Sequence, residues 1–240
     1  INQDALNTLS KQYGVNATTD IEKAMAGADA IVICSPTSLH YDHFILASKH
    51  AKSIFVEKPL AHSLDKAQEI KVISTKENIF VQTGFIERFN PAVMELKNIV
   101  SKDKAINIDL TRTNKLSSRI TDVDVVLDLM IHDIDIILSV VNSDVKNVHA
   151  SGVAVISDTP DIANARIEFE NGCVANLTAS RISMKNMRKS RFFQKDAYIS
   201  VNFLSKESEV VRMKDVPENP DEFAEKVLMF IKYLIIQQML

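Results

Sequence analysis

The sequence predicts an α/β unit followed by an α+β domain, and three observations carry that reading. Up to about residue 85, helical and strand patterns alternate, as they do where parallel strands are joined by right-handed crossovers. From Val145 onward strand candidates crowd together with little helix between them, which predicts an open, mostly antiparallel sheet. Asn171-Gly172 stands between two of these candidates, and both residues tolerate the positive φ of a tight hairpin turn. The boundary is placed at residue 86, giving units 1–86 and 87–240.

The elements follow in order. An amphipathic pattern through Ala5, Leu6, Leu9 and Tyr13 stops at Gly14, and Asp20 caps a short helix through Ala26. Ala28 to Cys34 reads as a buried strand, Leu39 to His50 as a helix and Ser53 to Val56 as the next strand. Ser63 caps a helix to about Lys76, with Lys66 where Glu or Gln would complete a capping box, and Ile79 to Gly84 closes the unit. Asn90-Pro91 then opens a helix to roughly Ser101, Ala105 to Thr113 is a strand, and a helix runs from about Val125 to Val141. The remaining strands are expected at Val145 to Ile156, Ile162 to Phe169, Cys173 to Ser180, Ala197 to Phe203 and Glu209 to Met213.

Composition narrows the function classes. With 240 residues, 46% hydrophobic and 25% charged, the chain can bury one large core or two modest ones. A net charge of −3 with interspersed signs offers no global field for nucleic acid or an anionic membrane, so small or neutral partners are expected. Cys34 and Cys173 lie far apart in apolar runs, which suits buried reduced thiols and a cytoplasmic protein. The most apolar helical stretch, Phe223 to Leu240, is broken by Glu225, Lys226 and Lys232, so no membrane span is expected. No signal peptide is expected either, because Ile1-Asn2-Gln3-Asp4 leads straight into a helix pattern; the chain is expected to open inside a fold.

Two sites could carry chemistry. Glu57-Lys58-Pro59 follows the apolar run Ile54-Phe55-Val56, and ligands of α/β sheets collect outside the carboxyl ends of strands. The alternative is a charged surface turn. Asp128 and His132, spaced i and i+4, share one face of an apolar helix, where a carboxylate can orient an imidazole as a general base. The alternative there is a satisfied half-buried pair.

Four motifs in order then resemble the Gfo/Idh/MocA family of NAD(P)-dependent oxidoreductases, over about residues 1 to 180. They are Ser35-Pro36-Thr37 with Leu39-His40, Glu57-Lys58-Pro59, Gly84-Phe85 with Arg88-Phe89-Asn90-Pro91, and Asp128-x-x-x-His132-Asp133-Ile134-Asp135. The stretch from Glu87 to Pro91 and the Leu127 to Ile137 helix most resemble the branch that acts on UDP-N-acetylglucosamine. The resemblance implies a partial Rossmann-type parallel sheet for residues 1–86 and a substrate and oligomerisation domain for 87–240. It implies NAD or NADP as cofactor, lined by Ser35, Pro36, Thr37, Leu39, His40, Glu57 and Lys58. It makes Lys58, Asp128 and His132 catalytic: His132, or a relay including Lys58, removes a hydroxyl proton, Lys58 stabilises the alkoxide and Asp128 keeps His132 oriented. Lys58, Arg88, Asn90 and His132 would hold the substrate, a sugar or nucleotide sugar with UDP-N-acetylglucosamine first. A homodimer or homotetramer is expected, because an open sheet face seeks a partner.

Two departures qualify the resemblance. None of Gly14, Gly27, Gly84, Gly152 and Gly172 forms the family's Gly-x-Gly-x-x-Gly turn. The expectation is that the first βαβ unit lies outside this sequence. The alternative is a non-catalytic binding or scaffolding relative that has lost its cofactor. Met130 stands where the family usually has glycine, and is read as core packing. Among the remaining features, His40-x-x-His43 with Asp42 lacks a third ligand, so no metal is expected. Lys185, Arg188, Lys189, Arg191 and Lys195, with Phe192 and Phe193, read as a solvated loop or as a diphosphate site. Phe223, Val227, Phe230, Ile231, Leu234 and Ile235 form an apolar stripe read as docking on the body of the protein.

Overall fold

The computed structural model describes residues 2–100, 105–115, 123–212 and, near the carboxyl end, 219, 221, 222, 224–226 and 229. Helix α1 (Gln3–Tyr13) begins where the Asn2 side chain accepts the N–H groups of Asp4 and Ala5, and it ends on Gly14 at φ +64°. Asp20 caps α2 (Ile21–Met25) by accepting the Lys23 N–H. Strands β1 (Ile31–Ile33), β2 (Ser53–Val56) and β3 (Phe80–Thr83) pair in parallel in that order. The crossovers are α3 (His40–Ala47), entered through a 3₁₀ turn at Thr37–Leu39, and α4 (Leu64–Lys76), capped by Ser63 as its sequence predicts. Phe44, Ala47, Ile54, Val56 and Ile70 close a core between the sheet and these helices.

One boundary differs from expectation because of backbone geometry. Gly27 turns the chain at φ +74° and Ala28 donates back to Met25, so the strand expected from Ala28 shortens to Ile31–Ile33. Cys34 then falls past the strand end and is exposed, not buried as expected; Cys173 is buried.

The rest of the described chain builds a second sheet. Its elements are α5 (Pro91–Ile99), β4 (Ala105–Lys115), a π-helical turn (Val126–Met130) running into α6 (Ile131–Val140), and then β5 (Val145–Val153), β6 (Ile162–Phe169), β7 (Val174–Ser183), β8 (Met187–Gln194), β9 (Ala197–Asn202) and β10 (Glu207–Arg212). Among the described residues the strand order is β10-β9-β8-β4-β7-β6-β5, with only β4 and β7 parallel. Alternation along β4 sends Ile108, Leu110 and Arg112 inward, toward a core shared with Val93, Leu96, Ile136 and Phe192. On the opposite face, Asn176 donates to Asp109 at 3.0 Å and Arg166 donates to Asn176 at 3.1 Å, so that face is polar.

Three expectations are corrected here. The segment around the basic cluster is strand β8, whose cross-strand pairing with β4 overrides its high charge. The strand expected to reach Ile156 stops at Val153, because the buried Asp161 carboxylate accepts the N–H groups of Val155, Ile156 and Ser157 and turns the chain. The β6–β7 hairpin forms, but only Gly172 adopts positive φ (+85°) and Asn171 does not. That suits a three-residue loop with a left-handed glycine better than a primed two-residue turn. The expected apolar stripe at Phe223, Val227, Phe230, Ile231, Leu234 and Ile235 lies outside the described residues.

Candidate active site

Parallel pairing brings the carboxyl ends of β1 and β2 side by side, releasing Ser35–Thr37 beside Glu57–Pro59. His40, the first residue of α3, joins these ends: it is buried, and its ring nitrogens lie 2.8 Å from the carbonyl oxygens of Ser35 and Pro59. His43 lies 2.9 Å from the Ser35 hydroxyl. Both histidines of the His-x-x-His pattern therefore have partners within the fold. Among the described residues no group of three or more potential metal ligands gathers. Thr37 is buried, whereas Pro36 and Leu39 are exposed. The Lys58–Pro59 peptide bond is cis.

Lys58 leaves the end of β2 and reaches the other sheet's helix. Its ammonium donates to the Asp128 backbone carbonyl at 2.7 Å and to Asp128 Oδ1 at 3.2 Å. The π-helical turn that contains Asp128 is the wide kind found at functional sites, and here its carbonyl meets a side chain from a distant segment. An ammonium has three N–H donors, so Lys58 keeps one beyond these two bonds. This arrangement corrects the expected pairing: Asp128 holds Lys58, and among the described residues no hydrogen bond joins it to His132.

His132 stands one turn further on and is half-buried. Its Nδ1 is buried without a hydrogen-bond partner, which leaves Nε2 as the nitrogen available to a ligand. Burial pushes the imidazole down to about 3, and the positive charges of Arg112 and Lys58 push the same way against the pull of Glu87. His132 is therefore neutral throughout the physiological range.

Beneath it lies a charge network that sequence reasoning missed. Arg112 is 1% exposed; it donates to Asp133 through Nε and Nη2 at 2.9 and 2.8 Å and to Glu87 through Nη1 at 3.0 Å. Arg112 and Arg188 hold the Glu87 carboxyl below its usual range although burial alone would raise it. A signal for Arg112 was present, since Ile108, Leu110 and Arg112 share one strand face and an arginine in that series needs buried partners.

The two expected substrate contacts from the third motif have internal partners. Arg88 pairs with the buried carboxylate of Asp135 through Nε and Nη2, and among the described residues its Nη1 makes no hydrogen bond. Asn90 is tied into the framework on both sides of its amide. Its oxygen caps α5 by accepting the Ala92 N–H, and its amide donates to Glu87 and to the Phe203 carbonyl. The basic cluster is also divided, because β8 turns Arg188 inward and Lys189 and Arg191 to the other face.

Residues 1–85 match the family described as "Oxidoreductase family, NAD-binding Rossmann fold", and residues 107–196 match the "GFO/IDH/MocA C-terminal domain". The chain belongs to the Gfo/Idh/MocA family. It is 30% identical over 204 residues to UDP-N-acetylglucosamine 3-dehydrogenase of Acidithiobacillus ferrooxidans, covering 85% of this chain and 65% of that protein. It is 29% identical over 172 residues to scyllo-inositol 2-dehydrogenase (NAD(+)) of Bacillus subtilis, covering 65% of this chain and 50% of the relative. A solved structure of the Acidithiobacillus enzyme superimposes with a TM-score of 0.82 at 28% identity, covering 93% of this chain and 75% of that one. Levoglucosan dehydrogenase in complex with NADH and levoglucosan superimposes at 0.79 with 20% identity, covering 92% of this chain and 66% of the other, a likeness of fold.

A cavity of about 370 Å³ lies beside β1, with Ile21, Met25 and Ile31–Ser35 in its lining; of the residues expected to meet the cofactor it includes Ser35 and none of Pro36, Thr37, Leu39, His40, Glu57 or Lys58. Gly84 closes the neighbouring strand end where a Cβ would meet Glu57 Oε2 at 2.9 Å and Phe55 Cζ at 3.0 Å, so the backbone there stays close to the Glu57 carboxylate. None of the described helices is long and apolar enough to cross a membrane.

Proposed function

We propose that this chain works in an NAD(P)-dependent dehydrogenase that oxidises a secondary hydroxyl of a sugar or nucleotide sugar, with UDP-N-acetylglucosamine the first substrate to test. One observation carries the reading: Lys58, from the parallel sheet, is held by Asp128 one turn before a neutral His132, from the helix over the second sheet. Residues 1–86 would hold the cofactor through Ser35, Pro36, Thr37, Leu39, His40, Glu57 and Lys58, and 87–240 would present the substrate. When bound, NAD or NADP supplies the hydride acceptor.

The chain's own groups divide the remaining work. In the tautomer with its hydrogen on Nδ1, His132 presents a lone pair at Nε2 to the substrate hydroxyl. Lys58 directs its third N–H at the same oxygen and stabilises the developing alkoxide. Asp128 fixes the direction of that ammonium. Arg88, through its Nη1, is a further substrate contact in this reading. The polar outer face of the larger sheet is proposed to meet a second copy; a monomeric mass by light scattering would overturn that part.

The test uses the full-length gene product with NAD or NADP and a panel of UDP-sugars and inositols. Reduced-nicotinamide absorbance should appear with at least one sugar and vanish in Lys58→Ala and His132→Ala. Activity that survives both changes refutes the site assignment, and a wild type inert on the whole panel favours a non-catalytic relative.

A further inference from the structure

Arg112 and Arg188 are cross-strand neighbours and share one carboxylate. Their Nη1 atoms lie 3.0 and 3.3 Å from the same Glu87 Oε1. They differ in what they leave over. Arg112 is buried and makes three hydrogen bonds to carboxylates. Arg188 makes one, its side chain is 36% exposed, and its Nε is buried with no acceptor among the described residues. His132 Nδ1 is a second buried atom of this neighbourhood without a partner, and the Arg188 charge is among those acting on His132. Orphan buried donors are rare and cost roughly 1–3 kcal/mol, so an inward-facing guanidinium left in this state marks a place for an acceptor that the fold does not supply.

We propose that Arg188 is a substrate-binding residue, its guanidinium donating to a ring or hydroxyl oxygen of the sugar whose reacting hydroxyl meets His132. The group it takes is a neutral oxygen and not a phosphate. Lys58 is already neutralised by Asp128, Arg88 by Asp135, Arg112 by Asp133 and Glu87, and Arg188 by Glu87. An anion placed here would face carboxylates without a surplus cation, whereas a polyol oxygen accepts a charge-assisted hydrogen bond without importing charge. Any diphosphate of a nucleotide sugar is then bound away from this network. The contact rests on the dehydrogenase reading above and gives it a specificity residue.

The experiment is steady-state kinetics of the full-length gene product and of Arg188→Gln and Arg188→Lys, on the sugar that wild type uses best and on its monodeoxy analogues. Melting curves confirm that each variant is folded. Arg188→Gln should raise KM roughly 10- to 100-fold, the value of a charge-assisted bond, and change kcat far less. For one analogue, wild type should lose about that factor and Arg188→Gln should lose nothing further, because the bond is already gone. If Arg188→Gln does not fold, Arg188→Lys carries the same comparison, since lysine has no planar fork and no Nε donor at that position. Unchanged KM in the variants, or equal losses on every analogue in wild type and variant, overturns the contact and leaves the dehydrogenase reading standing. A wild type that turns over no sugar overturns both.

Discussion

Lys58 and Arg112 are both cations tied to carboxylates of the same helical segment, and they are built for opposite purposes. Arg112 sits at 1% exposure with each of its three nitrogens bonded to Asp133 or Glu87, and its charge is held below the surface. Lys58 is half-buried, bonded once to a backbone carbonyl and once to a carboxylate oxygen, and keeps a donor free. The difference teaches where to look for chemistry. A fully satisfied ion pair fixes position, whereas a partly satisfied one can act on something else.

The sharpest way to break this comparison is to remove each charge in turn. Lys58→Met should cost roughly 10³-fold or more in kcat/KM, within the range for loss of a preorganised donor, while the urea midpoint barely moves. Arg112→Met should do the reverse and destabilise the protein by roughly 3–5 kcal/mol, because Glu87 and Asp133 are left buried and unpaired. Equal stability losses in the two variants would erase the distinction.

His132 gives a pH-dependent test. Its folded-state value of about 3 lies below the ordinary 6.5, so between those values the unfolded chain binds a proton that the folded chain does not. The contribution is fully present above pH 6.5 and is lost as pH falls toward 3. Chemical denaturation across that window should show a shallower decline for His132→Gln than for wild type. Parallel declines would mean that His132 is not held neutral.

Smaller effects sharpen the picture. Gly84→Ala pushes a methyl group against Glu57 and Phe55; it should cost roughly 1–3 kcal/mol of stability and raise the KM for the dinucleotide several-fold. Asp128→Asn should cost about tenfold in kcat/KM, far less than Lys58→Met, because the backbone carbonyl still holds the Lys58 ammonium. A loss as large as that of Lys58→Met would show that the carboxylate, and not the carbonyl, is what positions it.

Much of this was legible in the sequence, for physical reasons that differ by region. Asp20, Ser63 and Asn90 cap helices through local hydrogen bonds, so their effect is written within a few residues. Lys58, Asp128 and His132 were singled out because motif order stands in for distance, and the structure brings Lys58 to Asp128 one turn before His132. Which of them bonds which was not legible: i,i+4 spacing suggested Asp128 with His132, but a lysine seventy positions away in the chain takes the carboxylate. Strand β8 was missed because its charged residues look like loop when counted, and become a strand only through pairing with β4 and β9. The Arg112 network fell between the two cases, visible as a violation of apolar alternation but not as a set of partners.

The π-helical turn at Val126–Met130 makes chain length itself a functional variable. His132, Asp133 and Asp135 all lie downstream of the residue that anchors Lys58, so their bearing on it depends on how many residues the turn contains. Deleting Leu129 or Met130 would rotate everything after it by about 100° relative to Lys58, sending His132 off its face while every side chain of the site stayed intact. A site of this kind can be lost, or re-aimed at another substrate, by an insertion or deletion that leaves the identities of Lys58, Asp128 and His132 untouched.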